Sequence, residues 1–202
     1  MLEASTRTML VCGDTGCGKT CFLLAHFNNS FPEGTIPATL IHYTADVDID
    51  DGLGLVPLSV PLATIDSQHN PYDDRVRQRC SYRAAHVVIV CFAIDDPGSL
   101  KSVEDTWIGE VNHYAPGIPV ILLGCKKDTR PITSRNDATI IDDDGTVTYE
   151  QGLAVSNKIN AAQYMECSAK TGEGVQEVFQ CAARVALKVK RRKRFLRRCV
   201  VL

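Results

Sequence analysis

The stretch that decides the fold is GDTGCGKT, residues 13–20. It fits the spacing G-x-x-x-x-G-K-[ST] and lies between an apolar, strand-like run at 8–12 and a helical pattern at 19–28. At such a junction, successive backbone amides and the helix N-terminus form a concave anion site. The strand and helix on either side argue against a chance glycine-rich turn, so the stretch predicts a phosphate-binding loop.

Each residue of this phosphate loop (13–20) is a candidate phosphate contact. Lys19 is expected to reach the β- and γ-phosphates of a nucleotide, and the Thr20 hydroxyl is expected to ligate Mg²⁺. The full set is Gly13, Asp14, Thr15, Gly16, Cys17, Gly18, Lys19 and Thr20.

Beyond the loop, short apolar runs alternate with amphipathic stretches. Strands are predicted at 8–12, 43–49, 55–65, 86–94, 119–125 and 164–168, and helices at 19–28, 72–84, 99–113, 149–160 and 174–190. This alternation predicts an α/β fold, a six-stranded, mostly parallel sheet with helices on both faces. The run at 43–49 alternates apolar and polar residues, which places it near an edge. Ligands of such folds gather at the carboxyl ends of the strands.

Two short motifs at the ends of successive predicted strands indicate which base is bound. In GCKKD (124–128), the Asp128 carboxylate is expected to accept from the N1 and N2 donors of guanine, with Lys126 along the base. Adenine offers no such pair of donors and would leave the carboxylate unpaired. ECSAK (166–170) follows the next strand. Together the motifs favour guanine and disfavour a P-loop kinase or ATPase.

These motifs carry a resemblance that covers the whole chain. GD-x-x-CGKTC (13–21), FPE (31–33), TYEQGLA (148–154) and ECSAKTGEGVQEVF (166–179) are similar to the Rho branch of the Ras-superfamily small GTPases. The resemblance implies a P-loop NTPase small G-domain at 5–187 with a Rho-type insert at about 129–148. It also implies a switch that binds GTP or GDP with Mg²⁺, whose GTP form binds effectors. Exchange factors, activating proteins and a lipid-shielding inhibitor would regulate it.

Carried over residue by residue, the resemblance assigns further site residues. Phe31 packs near the guanine and ribose, and Asp66 holds Mg²⁺ through water. Ser168, Ala169 and Lys170 form the loop around the base.

Four positions depart from the family pattern, and all concern the γ-phosphate. The third residue of the phosphate loop is Thr15 instead of glycine, which crowds the attacking water and any inserted arginine finger. Ala38 lacks the oxygen of the usual switch threonine, and Thr39 is the candidate replacement ligand. His69 stands for a glycine whose amide contacts the γ-phosphate, and Asn70 for the catalytic glutamine.

The departures favour a slow or absent hydrolase, because phosphoryl transfer depends chiefly on positioning. No catalytic residue is therefore assigned. The alternatives are a working, cycling GTPase in which each change is neutral, and a GTP-locked or pseudo-GTPase interaction module. Cys125, where the family prefers Asn or Thr, is a milder change that loosens nucleotide binding.

The end of the chain has a different character from the rest. The basic tail (188–202), KVKRRKRFLRRCVVL, holds eight Lys or Arg and no acid, so the net charge of −2 leaves −10 for residues 1–187. An acidic body argues against nucleic acid as a partner. The last four residues form a C-a-a-X box whose leucine predicts geranylgeranylation of Cys199.

The prenyl chain and the basic residues together predict anchoring to an anionic membrane, at the cytoplasmic face of the plasma membrane or endomembranes. A nuclear localisation signal and a solvated helix end are the alternatives for the tail. The nine cysteines form no CxxC pair, so we expect buried thiols in a reducing compartment and no zinc site.

Overall fold

The computed structural model describes residues 7–32, 43–50, 55–64, 82–131 and 145–189. Its strands are β1 (Met9–Gly13), β2 (Tyr43–Asp50), β3 (Leu55–Thr64), β4 (Val87–Ala93), β5 (Val120–Cys125) and β6 (Gln163–Glu166). They form one sheet in the order β2-β3-β1-β4-β5-β6. Only β2 and β3 pair antiparallel, and the other neighbours are parallel. The predicted mostly parallel sheet, with the 43–49 strand at its edge, is confirmed.

Five α-helices lie wholly within the described ranges, between and after the strands. They are α1 (Lys19–Asn28), α2 (Pro97–Ser102), α3 (Ile108–Tyr114), α4 (Tyr149–Lys158) and α5 (Val175–Lys188). A π-helical turn, Val103–Trp107, joins α2 to α3, and a 3₁₀ turn, Lys127–Thr129, follows β5.

The helix boundaries differ from the predicted ones for local reasons. The helix expected at 99–113 begins earlier, because Pro97 occupies the first position and the Asp96 side chain accepts from the Gly98 N–H at 3.0 Å. The helices expected at 149–160 and 174–190 end at Lys158 and Lys188. Residues 82–84 of the one expected at 72–84 are helical, and the rest lies outside the described residues.

Helices cover both faces of the sheet, as the strand–helix alternation predicted. On one face α1 and α5 pack against alternate strand residues, through Phe22, Leu23, Val178 and Phe179. On the other face α2, the π turn and α3 contribute Leu100, Val103, Trp107 and Val111, with Val155 of α4 beside them. Because both faces are buried, the ligand site is left to the edge where the parallel strands end.

Parts of the predicted domain layout fall outside the described ranges: 132–144 of the expected insert and 190–202 of the basic tail. No helix in the parts of the chain that the structure describes is long and apolar enough to span a membrane.

Candidate functional site

The phosphate loop leaves the carboxyl end of β1 and leads into α1. Its first residue, Gly13, has φ of 141°, and a Cβ there would lie 2.2 Å from the carbonyl oxygen of Cys91. Gly18 caps α1 with φ of 104°, and its Cβ would lie 3.0 Å from that of Cys125. Side chains are therefore excluded at both ends of the loop, which keeps the backbone close to the strand ends.

Lys19 is buried inside this loop, with only 4% of its surface exposed. Its Nζ donates to the carbonyl oxygens of Gly13, at 2.8 Å, and Asp14, at 2.6 Å. A buried ammonium is stable only with such partners, and here they hold its positive charge under the loop. Thr20 follows in the first turn of α1 and is half-buried, whereas Thr15 and Gly16 are exposed at the tip.

The Asp14 side chain has a partner that the sequence did not predict. Its Oδ1 accepts from the indole Nε1–H of Trp107 at 2.7 Å. Trp107 ends the π turn and is 4% exposed. The two residues are 93 positions apart, and no local pattern links them.

The two predicted base motifs meet at the ends of β5 and β6. The Lys127 N–H donates to the carbonyl oxygen of Cys167 at 3.0 Å, which holds the two loops side by side. Asp128 Oδ1 accepts from Ser168 Oγ at 2.5 Å, and Asp128 Oδ2 lies 3.9 Å from Lys170 Nζ. Lys126 adopts the left-handed conformation, with φ of 62°. Its Nζ pairs with Asp95 at 3.0 Å.

A cavity of about 280 Å³ lies beside these loops. Phe31, Ala169 and Lys170 line it together with the end of α1, so three predicted base contacts share one opening. Phe31 is 42% exposed there. His26, also in the lining, stacks on Phe179 with ring centroids 3.5 Å apart. Partial burial lowers the pKa of His26, although a hydrogen bond with Gln176 opposes this.

An ion pair fixes the base motifs to each other from behind. Arg130 makes two hydrogen bonds of 2.8 Å to the Glu166 carboxylate and donates to the Val147 carbonyl oxygen at 2.6 and 3.1 Å. Tyr164 donates to Glu166 at 2.6 Å. Burial raises the pKa of Glu166, but the Arg130 and Tyr164 hydrogen bonds outweigh it and leave that pKa below its usual range.

Buried thiols lie behind both loops. Cys91, Cys125 and Cys167 are all buried there. Burial raises the pKa of Cys17 to about 12 and also raises that of Cys91. These cysteines are free, as expected, and no metal-binding cluster of His, Cys, Asp or Glu is found among the described residues.

Several predicted site residues lie outside the described ranges, and the predictions for them stand as made. They are Ala38, Thr39, Asp66, His69, Asn70 and Cys199.

Comparison with known proteins agrees with this geometry. The sequence model of the Ras family matches residues 8–188. The chain is 40% identical over 196 residues to GTP-binding protein RHO1 of Candida albicans, covering 97% of this chain and 96% of that protein. It is 41% identical over 186 residues to GTP-binding protein rho1 of Schizosaccharomyces pombe, with 90% and 86% covered. The chain therefore belongs to the Ras family of small GTPases. Within that family it is a Rho-type small GTPase.

Proposed function

We propose that this protein binds GTP and GDP with Mg²⁺ as a Rho-like signalling protein and hydrolyses GTP slowly. It acts through effector proteins at the cytosolic face of a membrane, and exchange factors load it. A lipid-shielding inhibitor is a further expected partner of the prenylated form. The observation that carries the proposal is that the phosphate loop and both base motifs open at the same edge of the sheet.

The phosphate end of the site supports an anionic ligand. The buried Lys19 ammonium stands against the loop carbonyls, and the N-terminus of α1 adds its partial positive charge. A di- or triphosphate placed there would meet backbone amides and the ammonium together, which is the chemistry of nucleotide binding in this class of loop.

The donor set also fits Mg²⁺. The half-buried Thr20 hydroxyl, the predicted water-mediated contact from Asp66 and the weaker candidate Thr39 all offer oxygen atoms. Mg²⁺ prefers oxygen ligands and typically retains water and nucleotide phosphates in its shell. A bound Mg²⁺ would neutralise phosphate charge, while the chain's own residues position the nucleotide.

Asp128 provides the test of base selection. Asparagine at this position would place an N–H₂ donor opposite the N–H donors of guanine. We therefore expect Asp128→Asn to weaken GDP binding by on the order of 10²-fold. The same change should improve binding of xanthosine diphosphate, which carries an acceptor at that edge.

Competition against a fluorescent guanine nucleotide measures both effects, with Glu173→Gln as the matched control. Glu173 pairs with Lys127 on the same loops but not with Asp128. Equal binding of ADP and GDP by the unaltered protein would rule out the assignment to guanine.

Slow hydrolysis follows from the departures around the γ-phosphate. Thr15 is exposed at the tip of the phosphate loop, where its β-branched side chain competes for the space of the attacking water. In the family pattern a glycine whose amide contacts the γ-phosphate stands at the position of His69, and a glutamine, which is one methylene longer, at that of Asn70. We expect the triple variant Thr15→Gly, His69→Gly, Asn70→Gln to hydrolyse bound GTP on the order of 10²-fold faster than the unaltered chain.

Single-turnover hydrolysis of bound GTP measures this difference, and equal rates would contradict it. The alternative, a module that does not hydrolyse at all, is favoured by the same four departures. The nucleotide that co-purifies separates these cases: mostly GDP indicates turnover, mostly GTP a locked state, and none a pseudo-GTPase.

A further inference from the structure

The bond between Trp107 and Asp14 connects the phosphate loop to the helices on one face of the sheet. It is 2.7 Å long and joins an indole N–H to a carboxylate oxygen, a charge-assisted pairing. Trp107 is buried at the last position of the π turn. Such turns add a residue to a helix, redirect the side chains that follow and recur at functional sites.

Asp14 lies next to the Lys19 ammonium in the phosphate loop. Its carbonyl oxygen accepts from Lys19 Nζ at 2.6 Å, so the main chain of Asp14 helps to hold the ammonium. A carboxylate released at this point could pair with that ammonium, and it would repel an incoming phosphate. Instead, the hydrogen bond from the Trp107 indole holds the Asp14 carboxylate against the π turn, on one helix-covered face of the sheet.

We propose that Trp107 is a positioning residue for the phosphate loop. It sequesters the Asp14 carboxylate, which leaves Lys19 and the loop amides available to an anion, and it ties the loop to the packed face of the sheet. This inference rests on the proposed nucleotide binding, which it deepens.

The first test needs no nucleotide. Trp107 is the only tryptophan in the chain, so the tryptophan emission of the protein comes from this residue alone and responds to changes around its indole. Asp14→Asn keeps an acceptor oxygen for the indole, whereas Asp14→Ala removes it. We expect the emission of the nucleotide-free protein to change in Asp14→Ala and to stay close to the original in Asp14→Asn. Identical spectra for the unaltered chain and Asp14→Ala would overturn the inference.

The second test is a double-mutant cycle on the rate of GDP dissociation. Trp107→Phe keeps an aromatic ring in the core but frees the carboxylate, and we expect GDP to dissociate about tenfold faster. Asp14→Ala should have a smaller effect, about threefold, because it loosens the loop without leaving a free charge. Adding Asp14→Ala to Trp107→Phe should return the rate to that of Asp14→Ala alone.

The control is Val111→Ala, which weakens the same core cluster without touching the loop and should leave GDP dissociation unchanged. Trp107 would act only through packing if the effects of Trp107→Phe and Asp14→Ala on GDP dissociation multiplied in the double variant. The same would follow if Val111→Ala accelerated GDP dissociation as much as Trp107→Phe. If Trp107→Phe fails to fold, the two Asp14 variants provide the test. We expect GDP to dissociate faster from Asp14→Ala than from Asp14→Asn, and equal rates in the two variants would overturn the inference. Failure of the unaltered chain to bind GDP would instead contradict the proposed function and leave the fluorescence test to judge the bond.

Discussion

Several residues of the candidate site, at the ends of β5 and β6, were predicted from the sequence. Lys126, Asp128, Ser168 and Lys170 belong to two short motifs whose spacing already indicated guanine. The structure places Ser168 and Lys170 beside the Asp128 carboxylate, whereas Lys126 pairs with Asp95. The Trp107 contact with Asp14 could not be predicted. It depends on how a helix face meets a loop, which no local pattern encodes.

His26 gives a prediction at this scale. Its pKa in the folded protein is lowered by burial, so its contribution to stability is fully present above the unfolded pKa of about 6.5. That contribution is lost as the pH falls from the unfolded pKa through the lower, folded pKa, because in this range the unfolded state binds a proton that the folded state does not. His26→Phe would keep the stack on Phe179 and remove the proton.

We therefore expect the unaltered protein to lose free energy of unfolding relative to His26→Phe as the pH falls from 7 to 5. Urea unfolding at a series of pH values measures the difference, which cancels the contributions of other titrating groups. A difference between the two chains that does not vary with pH would refute this account.

At the scale of elements, the strands were predicted closely because their apolar runs are bounded by polar turns. The helical region after β4 was predicted less well. Amphipathic spacing indicated one regular helix at 99–113, but the structure has a π turn at Val103–Trp107 within it. One additional residue in a turn barely alters the apolar pattern, so periodicity alone cannot locate it.

The start of α4 provides a prediction for an element. Thr148 Oγ1 accepts from the Gln151 N–H at 3.2 Å, and Gln151 Oε1 accepts from the Thr148 N–H at 2.9 Å. This capping box satisfies two backbone donors, so Thr148→Ala should lower the free energy of unfolding by about 1 kcal/mol.

Chemical denaturation measures that loss. The control is Gln151→Glu, which retains the reciprocal cap and should cost much less. An equal loss in the two variants would mean that the cap is not what stabilises the start of α4.

On the scale of the whole molecule, charge is distributed unevenly along the chain. An acidic body of −10 precedes a tail with eight basic residues and a C-a-a-X sequence. One prenyl chain gives reversible membrane attachment, and basic residues near an anionic leaflet add roughly 1 kcal/mol each before screening by salt.

We accordingly expect Cys199→Ser to move the protein from the membrane to the soluble fraction of cells. Replacing the eight basic residues by Gln, with Cys199 kept, should leave a weaker attachment that high salt hardly changes. Cell fractionation at two salt concentrations measures both. Persistence of Cys199→Ser on membranes would contradict the anchoring proposal.

The buried thiols behind the site can serve as probes of local opening. Cys12, Cys17, Cys91, Cys125 and Cys167 are at most 2% exposed and come from the phosphate loop, three strands and the segment after β6. An alkylating reagent can reach them only when the surrounding structure opens, so the labelling rate at each position counts local openings. Added nucleotide should slow labelling most where it closes the structure. The labelling rates of these native cysteines would therefore measure how often the structure around the candidate site opens.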